Sequence, residues 1–263
     1  MGTAQQALGW GARHAEVRST SSAAPSAPPL RVELSEVFEP GATQQRFYAT
    51  VAQPLVEAVY GGLNCALLCL GAAGTGKTYT LHGSDAARSN PLGAPRDEWG
   101  IAMLACEAFL QRAAPRTLAA PLAASSASAS STLLHMSFVE VDGDECFDLL
   151  RGGTPLSLDR IDTFRDGTAH ASGATQLRVR SLDDAAYALR LGLRASQRGV
   201  LSPRTHTILT LALRTGGGDA DGRDTGVASL PAGEKESRLT LIDLASGDLH
   251  GPQRFRLSTG AAQ

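Results

Sequence analysis

The chain has 263 residues, with 24 basic and 26 acidic side chains and a formal net charge of −2. That balance excludes binding to nucleic acid or to an anionic membrane surface driven by bulk charge. With 43% hydrophobic and 19% charged residues, the composition is that of a globular protein able to bury a sizeable core as one large domain or two small ones, and no apolar run reaches the ~18 residues of a membrane-spanning helix.

Residues 1–29 are rich in Ala, Ser and Pro and are expected to be disordered. They contain no apolar stretch of the kind a secretory signal needs. Weak alternation over Leu30–Phe38 predicts a short strand. Glu39-Pro40-Gly41 is a turn, Thr43 is a helix cap, and apolar residues at helical spacing predict a helix over Gln44–Gly61. Pro54 either starts a second helical segment or kinks the first. Asn64–Leu70 is an almost unbroken apolar run, as in a strand buried on both faces. A helix opens at Lys77 and stops at His82-Gly83-Ser84. A polar loop follows over Ser84–Glu98, then a helix over Trp99–Ala113. The low-complexity Ala/Ser segment 114–131 reads as a surface insertion.

Thr132–Val141 predicts a strand, Asp142-Gly143-Asp144 a turn and Glu145–Leu150 a helical turn. Gly152–Gly173 is irregular with room for small hairpins, and Gln176–Val179 is a short strand. Ser181 caps a helix with acids in its first turn that runs to about Gln197. Thr207–Leu213 and Arg238–Leu244 are strands separated by a long Gly/Asp loop. Strands alternating with helices imply an α/β sandwich around a central sheet, parallel or mixed. The four cysteines, Cys65, Cys69, Cys106 and Cys146, have no C-x-x-C spacing, and the six histidines form no H-x-x-x-H pair. They read as small core residues and scattered imidazoles in a reducing compartment, not as a disulfide framework or zinc site.

Between the Asn64–Leu70 strand and the Lys77 helix, Gly71-Ala72-Ala73-Gly74-Thr75-Gly76-Lys77-Thr78 has the spacing G-x-x-x-x-G-K-[ST]. Glycines there let successive backbone N–H groups turn inward around phosphate oxygens. The lysine ammonium reaches the β- and γ-phosphates, and the threonine hydroxyl can ligate Mg²⁺. Lys77 is one of two lysines among the 24 basic residues. A chain that otherwise chooses Arg has kept a compact ammonium where a planar fork would not fit.

The run from Phe38 to Gly61, the loop Gly71–Thr80, and the blocks Phe138–Leu150 (FVEVDGDECFDLL), Ser202–His206 (SPRTH) and Asp243–Asp248 (DLASGD) together resemble the kinesin motor domain. Phe38-Glu39-Pro40, Gln44, Tyr48, Val51, Pro54-Leu55-Val56 and Gly61 are similar to that family's run before its phosphate loop. Gly71–Thr80 resembles its G-Q-T-G-S-G-K-T-[YH]-T, and Phe138–Leu150 its S-Y-L-E-I-Y-N-E-x-x-x-D-L-L. Ser202–His206 falls where the family has S-S-R-S-H, the first switch, and Asp243–Asp248 where it has D-L-A-G-S-E, the second. Order and approximate spacing agree over roughly 31–250.

The resemblance implies a kinesin-like phosphate-loop fold. Its central sheet is mixed and mostly parallel, with helices on both faces, and the fold is incomplete at both ends. It places a partial motor core at 30–250, insertions at 114–131 and 214–237, and a tail at 251–263. It implies an ATP and Mg²⁺ site in which Gly71, Ala72, Ala73, Gly74, Thr75, Gly76, Lys77 and Thr78 hold phosphates and Tyr79 stacks on adenine. Thr78 ligates the metal and Asp243 holds its water shell. Ser202 and Arg204 sense the γ-phosphate, and Asp248 replaces the glutamate that pairs with that arginine. It also implies microtubules as partner and a cytoplasmic, cytoskeletal location.

Departures from the family pattern sit in the switches. Pro203 removes a hydroxyl and a backbone donor, Ser246 stands for a glycine, Asp248 is one methylene shorter than glutamate, and Gly199 replaces an asparagine. The adenine-side R-x-R-P motif is not recognisable in residues 1–30, and residues 251–263 hold no counterpart of the helices that carry the family's main microtubule contacts. Two functions are therefore expected as alternatives: a microtubule-stimulated ATPase, or a non-motile nucleotide-binding or scaffold protein of the same descent.

Overall fold

The structure, a computed structural model, describes residues 5–11, 14–19, 30–113, 132–156, 161–163, 169–171, 173–198, 205–215 and 235–245. The chain divides into two units, Met1–Ala42 with Gly247–Gln263, and Thr43–Ser246. In the first, β1 (Gln5–Gly11), β2 (His14–Ser19) and β3 (Leu30–Glu33) form an antiparallel sheet in the order β1-β2-β3. β1 and β2 form where composition predicts no regular structure. A hairpin ladder pairs backbone groups, and composition does not register that pairing.

The second unit begins with α1 (Gln44–Phe47), where the Thr43 hydroxyl accepts from the Arg46 N–H at 3.1 Å. A π-helical segment, Tyr48–Ala52, leads into α2 (Gln53–Tyr60), with Pro54 in its first turn. Proline has no N–H to return to the preceding turn, so the helix changes register ahead of it and restarts. Of the two roles open to Pro54, it starts the second segment. β4 (Cys65–Cys69) precedes the glycine-rich loop, and α3 (Lys77–His82) ends at Gly83. The polar stretch that follows folds in part. The Ser84 hydroxyl accepts from the Ala87 N–H at 3.1 Å and caps α4 (Asp85–Ser89). α5 spans Ile101–Ala113.

β5 (Thr132–Asp142) turns at Gly143 into β6 (Glu145–Asp148). The helical turn expected over Glu145–Leu150 is therefore a strand, with only Leu149–Arg151 in a 3₁₀ turn. Pairing with β5 outweighs the local pattern in so short a run. β7 (Thr154–Leu156), the β8 (Ile161–Thr163) and β9 (Ala169–Ala171) hairpin, β10 (Leu177–Val179), α6 (Leu182–Arg198), β11 (His206–Thr215) and β12 (Lys235–Asp243) complete the described chain. Ser181 caps α6 as the sequence indicates, its hydroxyl accepting from the Asp184 N–H at 3.1 Å.

Seven strands form one mixed sheet, ordered β4-β12-β11-β5-β6-β7 with β10 also on β5. The sheet is mixed as expected, but its balance is antiparallel: β4–β12 is parallel, and every other described pair in it is antiparallel. The hairpin-type returns of β5–β6 and β11–β12 carry no helix in their described residues, so they need no parallel crossover. Among the described residues the helices gather on one face, not two. Leu67, Leu239, Leu241, Leu209, Leu211, Met136 and Phe138 point from the strands into a single core with Val56, Val59, Leu81, Ile101, Phe109 and Leu189 from α2, α3, α5 and α6. α6 lies close because Gly192 faces Phe138; a Cβ there would fall 2.1 Å from the ring. On the opposite face Leu68 is exposed.

Two ionisable groups in this unit are buried in different ways. Burial alone would raise the Glu236 carboxyl, but hydrogen bonding by Arg214 (2.6 Å) and the charge of Arg238 outweigh it and hold the group below its usual range. His82 has no such compensation. It is buried against Phe138, with ring centroids 5.6 Å apart, and its Nδ1 has no hydrogen-bond partner among the described residues. Burial, and secondarily the Arg88 charge, lower its pKa from 6.5 to about 4.

Since the folded state keeps His82 neutral while the unfolded chain protonates it, stability is complete above pH 6.5 and falls as pH drops toward 4. Urea unfolding at pH 7 and pH 4.5 should show a loss of about 2–3 kcal/mol attributable to this group. His82→Leu should remove that increment. An unchanged pH difference in the variant would contradict it.

Candidate functional site

β4 ends at Cys69 and β12 ends at Asp243, and the two residues are register partners in the parallel pair. The glycine-rich loop after β4 and the carboxylate closing β12 are therefore delivered to the same end of the sheet. The Thr78 hydroxyl donates to Asp243 Oδ2 at 2.6 Å across 165 residues of sequence. The Leu244 N–H donates to the Cys69 carbonyl at 3.2 Å, extending the pairing one residue past the ladder.

The loop is shaped by its own sequence. Gly76 precedes α3 with φ 93°, a left-handed conformation that side chains disfavour, and no side chain caps the helix there. The Thr75 hydroxyl donates to the Ala72 carbonyl at 2.8 Å and occupies the space beside Gly71, where a Cβ would meet it at 2.6 Å. Lys77 folds back over the loop. Its ammonium donates to the carbonyls of Gly71 (2.8 Å) and Ala72 (2.9 Å). Among the described residues it makes no ion pair.

Behind the loop, Gln44, buried in α1, donates from Nε2 to the Tyr79 carbonyl at 2.5 Å. This ties the start of α3 to the helix before β4. The Tyr79 side chain is half exposed. Cys69 lies beside Asp243 and Lys77. Burial, with a smaller contribution from the Asp243 charge, pushes its thiol up to about 11, so it remains protonated and unreactive near neutrality.

The donor set fits a phosphate chain with a hard divalent cation. Lys77 is a cation held by two neutral carbonyls that an anion can replace, and Thr78 with Asp243 offers two oxygens for a metal or its water shell. Among the described residues no group of three or more His, Cys, Asp or Glu is placed to hold an ion alone. Mg²⁺ commonly takes one or two protein oxygens and completes its shell with water and phosphate, and the Thr78 hydroxyl with the Asp243 carboxylate supplies that number.

The structure thus brings Gly71–Tyr79 and Asp243 together. Ser202, Arg204 and Asp248 lie outside the described residues, as do Pro203 and Ser246. Sequence reasoning missed the side-chain bond from His206 to this end of the sheet. Its Nδ1 accepts from the Ala245 N–H at 3.0 Å. The nearest signals were its place at the end of the Ser202–His206 block and at the head of an apolar strand, and neither names a partner.

A family model described as the kinesin motor domain matches residues 5–254. Kinesin-like protein KIN-8A of Arabidopsis thaliana is 32% identical over 216 residues, 80% of this chain and 25% of that protein. Kinesin-like protein KIN-UC of the same plant is 30% identical, over 82% of this chain and 19% of that protein. Human kinesin-like protein KIF7 is 29% identical, over 69% of this chain and 13% of that protein. The chain thus spans a quarter or less of these relatives. A solved structure described as that of a fast kinesin superposes with a TM-score of 0.70 at 19% identity, covering 97% of this chain and 64% of the other.

The tight fit beside Gly71 gives a direct test of the loop. Gly71→Ala should destabilise the chain by about 1–3 kcal/mol through overpacking against Thr75. Thr75→Ala in the same chain should recover at least half of that loss in urea unfolding. Independent, additive losses would show that the two positions do not touch.

Proposed function

The chain belongs to the kinesin motor domain family, and from that premise we propose that it binds Mg-ATP at the Gly71–Tyr79 loop and hydrolyses it in step with movement along microtubules in the cytoplasm. The observation that supports the reading best is the 2.6 Å bond between Thr78 and Asp243. It joins the phosphate loop to the strand that leads into the second switch, as a site must if changes at the γ-phosphate are to be felt elsewhere.

In this reading the backbone of Gly71–Gly76 surrounds the phosphates and the Lys77 ammonium leaves the Gly71 and Ala72 carbonyls for them. Thr78 and Asp243 hold the cation and its water, and Tyr79 lies against the base. A bound Mg²⁺ supplies neutralisation of charge on the phosphate oxygens. Ser202 and Arg204 are assigned to the γ-phosphate end, and Asp248 to the place of the family's second-switch glutamate. Phosphoryl transfer to water depends mainly on such positioning and charge stabilisation. The motor core is assigned to 30–250.

A second reading is favoured by Pro203, Ser246 and Asp248. Pro203 cannot donate a backbone hydrogen bond, Ser246 carries a side chain where close approach to phosphate suits glycine, and Asp248 reaches less far toward Arg204. In that reading the chain is a non-motile nucleotide-binding or scaffold protein, which binds nucleotide without stimulated turnover or does not bind it.

Titration calorimetry with Mg-ATP should show one site, weakened at least about 100-fold by Lys77→Ala. Phosphate release should then rise on adding microtubules. Binding without that rise selects the scaffold reading. Binding that Lys77→Ala leaves unchanged removes both.

A further inference from the structure

His206 opens β11, the strand next to β12, at the end of the sheet that carries the glycine-rich loop. Beyond Asp243 the chain leaves β12 with its next two N–H groups bonded in opposite directions. Leu244 donates to the Cys69 carbonyl on β4 at 3.2 Å, and Ala245 donates to Nδ1 of His206 on β11 at 3.0 Å. The exit from β12 is therefore held between its two neighbouring strands. The β4 side uses a backbone acceptor, which any residue at position 69 supplies. The β11 side uses a side chain, and an apolar residue at 206 would leave the Ala245 N–H without that acceptor.

The bond also specifies the histidine chemically. The ring nitrogen facing Ala245 is Nδ1, which accepts from the N–H, so the contact needs an acceptor atom at that place in the side chain. The geometry places this constraint two residues from the carboxylate that accepts from Thr78.

We propose that His206 is a positioning residue for Asp243: by accepting from Ala245 it fixes the path by which the chain leaves β12, and so keeps the Asp243 carboxylate on Thr78. It touches neither nucleotide nor metal. Its expected influence is on the cation arm of the site, because Asp243 and Thr78 serve the cation while Lys77 and the loop backbone serve the phosphates. That last step rests on the reading of the site as a Mg-ATP site; the bond and its effect on Asp243 do not.

The test uses the whole chain, His206→Leu, and His206→Asn, whose amide oxygen can replace Nδ1 as acceptor. In ¹⁵N-labelled nucleotide-free protein, a scalar coupling across the hydrogen bond between the Ala245 nitrogen and His206 Nδ1 is expected. The Thr78 and Asp243 resonances should shift in His206→Leu and stay near their original positions in His206→Asn. With ATP as probe, affinity in excess EDTA should agree within twofold for all three proteins. The gain in affinity on adding Mg²⁺ should fall about tenfold in His206→Leu and by less than threefold in His206→Asn. Absence of the coupling, Thr78 and Asp243 resonances unmoved in His206→Leu, or an equal loss in EDTA and in Mg²⁺ would overturn the proposal. If the unaltered chain binds no ATP, the Mg-ATP reading falls and the nucleotide-free spectra decide the role of His206 by the same criteria.

Discussion

The parallel pairing of β4 with β12 is the constraint on which the rest of this molecule depends. Parallel strands cannot be joined by a tight turn, and here almost the whole of the second unit lies between them in sequence. The pairing makes one site of two loops that the chain supplies at opposite ends of that unit. Its register puts Cys69 beside Asp243, so the glycine-rich loop and the carboxylate leave the sheet together. The apolar face behind them, from Leu67 through Leu239 and Leu241 to Met136 and Phe138, keeps that register from slipping. A one-residue shift would turn Leu239 and Leu241 away from the helices and expose them.

Local chemistry made part of this visible in the sequence. The loop was legible because its glycines, lysine and threonine stand at fixed spacing within a few residues. Ser181 was legible as a cap because its partners lie in the next turn. The same locality failed at Glu145–Leu150, where a four-residue strand and a 3₁₀ turn carry the pattern of a helical turn, and only pairing with Val141 and its neighbours decides the outcome. It failed at Asp85–Ser89, where a serine cap organises a polar run. Strand direction was out of reach as well. β5, β11 and β12 read as apolar strands whichever way they run, and their antiparallel arrangement is set by what they meet in the fold.

The contacts that tune the site were the least legible. Gln44 on the Tyr79 carbonyl and His206 on the Ala245 N–H join residues 35 and 39 positions apart. In each, a polar side chain meets a backbone group. A backbone partner imposes no residue type, so the sequence at the far side holds no trace of the contact. The Arg214–Glu236–Arg238 cluster is different in kind. Buried charges demand opposite charges, but the sequence shows many of both, and only strand register selects these three.

The fold-back of Lys77 onto the Gly71 and Ala72 carbonyls has a consequence for energetics. The ammonium is already solvated by its own loop, so the free protein does not hold a bare cation waiting for an anion. Capture of an anion there is an exchange of oxygen partners, and its free energy is a difference between two sets of charge-assisted bonds. Occupancy of the loop is thereby a competition between internal and external oxygens for one proton-rich group, and the backbone conformation at Gly71 and Ala72 sets its balance point.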